Sequence, residues 1–455
     1  MKQISVGLFE GFFLNNGTPA WWHEGSKLDT WLGLDHWTDL ARLADDLGFD
    51  FLFLADTLGH AERDGDMPRE VAEHSISFPG LDPITLVSAM AASTRDLGFV
   101  VTASTTAELP YTLARRFATL DHLTKGRIAW NVVTGAQHGV VSKLYGNPPV
   151  RHDARYEMAD EFVELCARHW ETVWQDDALV ADRSRKVYAE PDRLHRVEYA
   201  GQHYSSSGYF SVPPSPQRTP YLFQAGASAR GRKTAGRIAE GVFIQATTPS
   251  DTREVVDSIR EHAQSEGRDP DSVKIVSGCT VITASESGAA QTKHAQILDE
   301  YQSVDAALHF LALTGVDLLS LDPSRPIGDY SSELGQSMID RYRTGNTTMA
   351  VGEIIEQYRR KGVRGFELIG TPAQVVDELE DWVEATGIDG IMIEPTYGGS
   401  DVYREFGEDV MPLMAERGMR APRAASSTLR ERMSGGSARL PADHPLSRAR
   451  LAPDM

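Results

Sequence analysis

The chain has 455 residues, 41% hydrophobic and 24% charged, the balance of a globular protein able to bury a large core rather than of a disordered, collagen-like or membrane-embedded one. Its formal net charge of −20 argues against a general nucleic-acid binder, which needs a basic face to neutralise phosphates. Cys166 and Cys279 are its two cysteines, too few and too far apart for a disulfide framework or a thiolate zinc site, so a reducing cytoplasm fits. The start, Met1 to Leu8, is too polar for a signal peptide, and no run reaches the roughly 18 apolar residues of a membrane span.

Ile4 to Phe9 predicts a buried strand. Glu10 to Thr30 follows as a long loop carrying Phe12, Phe13, Trp21, Trp22 and His23, an aromatic load suited to lining a pocket or to packing the loop onto a barrel. Leu34 to Leu47 has helical spacing, Gly48 ends it, and Phe49 to Asp56 is an apolar run closing on an acid. The same alternation recurs with Ile84 to Thr94 as helix, Leu97 to Ser104 as strand and Tyr111 to Lys125 as helix. Gly126 then stops the helix, and Arg127 to Thr134 alternates and turns apolar as a buried parallel strand does, with Asn131 and Thr134 toward its C-terminal end. Strands alternating with helices imply a parallel sheet with right-handed crossovers.

The alternation is interrupted at 136–219, where Asp153 to Trp174 reads as one helix with Cys166 on its buried face. Short strands and prolines fill 186–220. It resumes with strands at 221–226, 241–246 and 274–283, is interrupted again at 284–371, and ends with a helix from Pro372 and a strand at 389–395. Eight equally buried strand candidates favour a (β/α)8 TIM barrel as one domain over 1–419, with insertions between strands 4 and 5 and strands 7 and 8. The polar stretch 420–455 is a C-terminal extension expected on the surface or on a neighbouring subunit. Asp45-Asp46 and Asp176-Asp177 read as solvated surface pairs.

Gly226-Ala227-Ser228-Ala229-Arg230-Gly231 lies between a strand and a helix, where backbone N–H groups attract an anion. It does not match a nucleophile elbow, because the second glycine comes one residue late. As a dinucleotide fingerprint it has serine for the central glycine, and the next strand runs into Ala246-Thr247-Thr248 instead of a ribose-binding acid. A phosphomonoester cradle and a plain turn both remain. In His152-Asp153-Ala154-Arg155-Tyr156, Asp153 is a candidate N-cap, and His152 and Tyr156 share a helical face. No spacing suggests a metal site.

Thr124-Lys125-Gly126-Arg127-Ile128-Ala129-Trp130-Asn131-Val132-Val133-Thr134, with Ala114 to Leu123 before it, resembles the signature of bacterial luciferase-like flavin monooxygenases, in the nitrilotriacetate monooxygenase and dibenzothiophene sulfone monooxygenase branch. The stretches 51–56, 152–156, 214–220 and 224–232 are similar to that family in the same order. The resemblance implies that Ser228 and Tyr156 hold the phosphate of FMN, that His152 lies beside the flavin side chain, that Asp56, Ser104 and Asn131 surround the isoalloxazine ring, and that Ala227 is also cofactor-binding. It implies an FMN-dependent monooxygenase that receives reduced FMN from a separate NAD(P)H-dependent flavin reductase and uses O2 on a small organic substrate. Asn131 would then stabilise charge as oxygen adds. Phe13, Trp22 and His60 are substrate-pocket candidates on position alone, as is His309, which is also a candidate catalytic residue. A homodimer or homotetramer is expected. A flavin-dependent lyase or reductase on the same barrel, or a noncatalytic flavin-binding protein, would fit the same residues.

Overall fold

The computed structural model describes residues 2–14, 21–22, 26–135, 137–226, 228–327, 339, 342, 349–361, 364–395, 400–421 and 427–451. Its strands are β1 (Ser5–Gly11), β2 (Phe51–Ala55), β3 (Gly98–Ser104), β4 (Ile128–Val133), β5 (Leu179–Asp182), β6 (Val187–Ala189), β7 (Val197–Ala200), β8 (Ser205–Gly208), β9 (Tyr221–Ala225), β10 (Gly241–Ile244), β11 (Lys274–Thr283), β12 (Phe366–Gly370) and β13 (Gly390–Ile393). Eight of them, β1, β2, β3, β4, β9, β10, β11 and β13, pair in parallel in that order, and β13 returns to β1 with Ser5 opposite Gly390. The sheet is therefore a closed barrel with no free edge, a (β/α)8 TIM barrel.

Helices lie between successive strands. Leu34–Leu47 turns Trp37, Leu40, Ala41 and Ala44 inward, and Pro110–Leu123 does the same with Leu113, Ala114, Phe117 and Leu120. Trp130, on the outward face of β4, packs near Phe117, Phe162 and Trp170 and joins two helices to the barrel wall. Cys166, buried in His152–Glu171, is core as its helical spacing predicts. Asp45 departs from expectation. Its carboxylate is buried and accepts hydrogen bonds from the backbone of Arg95, Asp96 and Leu97, so it ties the turn before β3 to the first helix and is not solvated.

Inside the barrel, Phe9, Phe51, Phe53, Tyr221, Phe223 and Phe243 meet Val100, Ala129, Val276 and Met392. Phe9 and Phe53 stack with ring centroids 5.6 Å apart. Such pairs add about 0.5–1.5 kcal/mol beyond the burial of their area. Together these rings form a dry floor under the C-terminal ends of the strands.

The C-terminal extension closes the other end, contrary to the expectation of a surface or intersubunit tail. Leu429 and Met433 join the barrel-filling cluster, and the Leu429 N–H donates to Gly126 O at 2.8 Å. Gly126 has φ +84°, and a Cβ there would lie 2.5 Å from Thr428 Cγ2, so glycine meets both the left-handed turn and the close approach of the tail. Arg430, 1% exposed, donates to both carboxylate oxygens of Glu240 and to the carbonyls of Thr219 and Pro220, at the starts of β9 and β10.

The 136–219 insertion carries two antiparallel hairpins, β5–β6 and β7–β8. The second insertion has helices at Ser287–Glu300, Ser303–Thr314 and Val351–Lys361, and it also holds β12, a strand not anticipated from the sequence, which pairs with Cys279–Thr283 of β11. Ser303–Thr314 docks on the segment after β2. Leu308, Leu311 and Ala312 meet Ala61, Val71 and Ile76, while Arg63 pairs with Asp317 and His74 with Asp305, both at 2.6 Å. Among the described residues no helix is long and apolar enough to cross a membrane.

Candidate active site

Side chains two apart on a strand share a face. Ala129 and Val100 belong to the aromatic floor, so Asn131 on β4 and Thr102 on β3 stand just above it, opposite one another in register. Asn131 is 2% exposed; its Nδ2 donates to Thr102 Oγ1 at 2.9 Å, while its Oδ1 is buried with no hydrogen-bond partner among the described residues. An unmatched buried acceptor costs about 1–3 kcal/mol, so this amide is set up for a donor that the described chain does not supply. Ser104, buried at the end of β3, shares a hydrogen bond of 3.0 Å with Thr106 Oγ1.

Asp56 follows β2. Burial, and then the negative charge of Asp82, push its carboxyl up to about 7. A proton retained in the folded state to about that pH, but released near 4 in the unfolded chain, means that stability falls as pH rises between those values and levels off above. Asp56→Asn should remove that slope. Melting temperatures of both proteins taken from acid to neutral pH would check it, and a gap that stays constant with pH would refute it.

A second polar cluster lies at the start of Ala229–Ile238. Ser228 is the N-cap, its hydroxyl accepting from Gly231 N at 3.1 Å. Burial raises the Tyr156 pKa against the opposing influence of the nearby Ser228 side chain, so its hydroxyl stays a neutral donor. The Arg230 guanidinium lies 5.7 Å from the centre of the Tyr156 ring, and the His152 ring stands edge-on to it at 5.2 Å. Gly226, at φ +152°, leaves room: a Cβ there would sit 3.6 Å from the Tyr156 hydroxyl and 3.0 Å from Gln224 Nε2. Gln224 Oε1 is a second buried acceptor with no partner among the described residues. The helix begins at His152, so Asp153 is not its N-cap; it lies in the first turn with its carboxylate 3.0 Å from the His152 ring. Ala227 falls outside the described residues.

The structure thus brings Tyr156 and Ser228 together from two helices, and Asn131 and Thr102 together from two strands. The substrate-side candidates are more scattered. Phe13 is buried, bridges to Gly80 through its backbone, and lays its ring over that residue, while its neighbour Phe12 stacks on Trp37 at 3.9 Å. Trp22 is 40% exposed beside His74. His60 has Nδ1 2.9 Å from Ala61 O and stands edge-on to Phe78. His309 is 2% exposed within Ser303–Thr314, its Nδ1 3.2 Å from the Tyr358 hydroxyl; burial lowers its pKa to about 4, so it is neutral at pH 7.

The sequence profile of the luciferase-like monooxygenases matches residues 11–390. The chain belongs to this family of flavin-dependent monooxygenases. It is 36% identical to the dimethyl-sulfide monooxygenase of Hyphomicrobium sulfonivorans, over 99% of this chain and 94% of that one. To the nitrilotriacetate monooxygenase component A of Aminobacter aminovorans it is 30% identical, over 95% and 96%. Among solved structures, a riboflavin lyase with modified FMN and riboflavin superimposes with a TM-score of 0.94 at 38% identity, over 99% of this chain and all of that one.

Within this luciferase-like chain, the sequence patterns assign no role to Thr102, Gln224, Arg230, Gln245 or Glu394. Period-two spacing could have found Thr102 and Glu394, since each stands two residues beyond an inward apolar position.

Proposed function

We propose that this chain is the oxygenase of a two-component system, taking reduced FMN from a separate NAD(P)H-dependent flavin reductase and using O2 to oxygenate or cleave a small organic substrate. The observation that carries this reading is the convergence of Tyr156 and Ser228 on the N-terminus of Ala229–Ile238, a set of donors matched to one phosphate. No acid follows β10 where a dinucleotide ribose would need one, which favours FMN over a dinucleotide. The relative named as component A supports a divided system, and the lyase holding modified FMN supports the cofactor. We read the protein as a cytoplasmic homodimer or homotetramer.

Bound reduced FMN would supply the electrons for O2 activation. The chain does the rest. Tyr156, Ser228 and the helix amides hold the phosphate, with His152 beside the flavin side chain. Asp56, Ser104 and Asn131 orient the ring, whose edge offers both donors and acceptors, and the unmatched Asn131 Oδ1 suits one of those donors. The aromatic floor would keep water from the base of the site.

Losing a hydrogen bond to a charged group costs about 1.5–3 kcal/mol, so Ser228→Ala should weaken FMN binding roughly ten- to hundredfold, with Tyr156→Phe acting in the same direction. Calorimetric titration of FMN tests this, and unchanged affinity in both variants removes the phosphate assignment. The purified chain should also oxidise NADH only when the reductase is added. A second reading, a flavin-dependent lyase or reductase needing no oxygen, draws on the likeness to the riboflavin lyase. Anaerobic single-turnover assays separate the two, because an oxygenase forms no product until O2 is admitted.

A further inference from the structure

The barrel mouth holds another carboxyl. Glu394 stands two residues beyond Met392 of the aromatic floor and is 3% exposed. Its Oε1 accepts from Gln245 Nε2 at 2.5 Å and its Oε2 from Gly365 N at 3.2 Å. Gln245 in turn stands two residues beyond Phe243 of the floor, so this bond reaches across β11, which lies between β10 and β13. There the wall is Gly278, where a Cβ would lie 3.0 Å from Glu394 Cδ. Register therefore puts Asn131 of β4 and the Gln245–Glu394 pair, just beyond β10 and β13, one step above the floor on opposite sides of the barrel.

The groups acting on Glu394 define its state. Burial pushes its carboxyl up to about 7, outweighing the Gln245 donor, the positive charge of Arg364 and the Gly365 N–H. Cys279 and Tyr403, which also feel it, are buried and protonated. Glu240, at the closed end, is by contrast held ionised by Arg430. A carboxyl poised near neutrality in a water-poor site is suited to moving protons.

We propose that Glu394, steadied by Gln245, is the proton donor of the barrel mouth. Its O–H bond breaks as a lone pair on a heteroatom of the ligand above the floor takes the proton, and the carboxylate regains a proton from water. This rests on the flavin reading of the site.

The uncoupled reaction reads the step without a substrate, since reduced flavin anion, O2 and one proton give oxidised flavin and hydrogen peroxide. With photoreduced FMN on the wild-type protein, re-oxidation by O2 should slow about tenfold between about pH 6 and about pH 8. Glu394→Gln should flatten that dependence to within about twofold. Gln245→Met, which removes a donor to the carboxylate, should move its midpoint upward. In the flavin-free protein, a carbon-13-labelled glutamate carboxyl should titrate near neutrality and be missing from Glu394→Gln. A wild-type protein that binds no FMN overturns the flavin reading and this one with it. FMN binding with an unchanged profile in Glu394→Gln, or no such glutamate titration, overturns the role of Glu394 alone.

Discussion

Asn131→Ala is expected to cut product formation about a hundredfold while leaving FMN affinity nearly intact, by analogy with the loss of one oxyanion-hole donor. The reasoning lies in the timing of the interaction. An amide held by Thr102 above a dry floor is already oriented, so its largest contribution should come as oxygen adds and charge develops, and only interactions stronger in that state accelerate the step. Reduced flavin would still meet O2 in the variant, so the lost product should appear as uncoupled hydrogen peroxide. Were Asn131 only a strand tie, its loss would lower melting temperature and FMN affinity together. Rapid mixing of the reduced variant with O2, read beside its FMN affinity and melting curve, separates the outcomes; wild-type coupling would remove the catalytic role.

Arg430→Ala should destabilise the fold by about 3–5 kcal/mol, the usual cost of leaving one partner of a buried ion pair uncompensated. Arg430 donates to Glu240, to the carbonyls of Gln217, Thr219 and Pro220, and to Ala438 O, so one side chain ties the tail to the starts of two strands. Burial opposes the charge of Glu240, and the Arg430 guanidinium more than offsets it, keeping that carboxyl below its ordinary range. Without the arginine, Glu240 would favour its neutral form, so the loss should be largest near neutral pH and shrink in acid, where the carboxyl protonates. Denaturant unfolding at both pH values measures this. The paired change Arg430→Met with Glu240→Leu should recover most of the stability, and a single variant as stable as wild type would show that the tail adds little to the barrel.

The eight barrel strands and the helices between them were legible because each is a local pattern. Period-two or continuous apolar runs such as Phe51 to Ala55 and Gly98 to Ser104 state which residues must leave water, and helical spacing at Trp37, Leu40, Ala41 and Ala44 states which face does. The stretches around Asn131, Tyr156 and Ser228 were legible as motifs, because a strand end and a helix N-terminus put their polar groups in places that local geometry alone defines. What the pattern could not say is which polar residues are buried, since that depends on partners far along the chain. Asp45 is buried because three amides near residue 96 reach it, and Arg430 because Glu240 does. In a polar tail Arg430 reads as solvated, yet it closes the base of the barrel. β12 was missed because its five residues lie in an irregular insertion and gain their ladder only when the upper half of β11 is already in place. Likewise Glu394 is one acid at a strand end in the sequence. Only closure of the barrel sets Gln245 against it and removes the water that would have kept it an ordinary carboxylate.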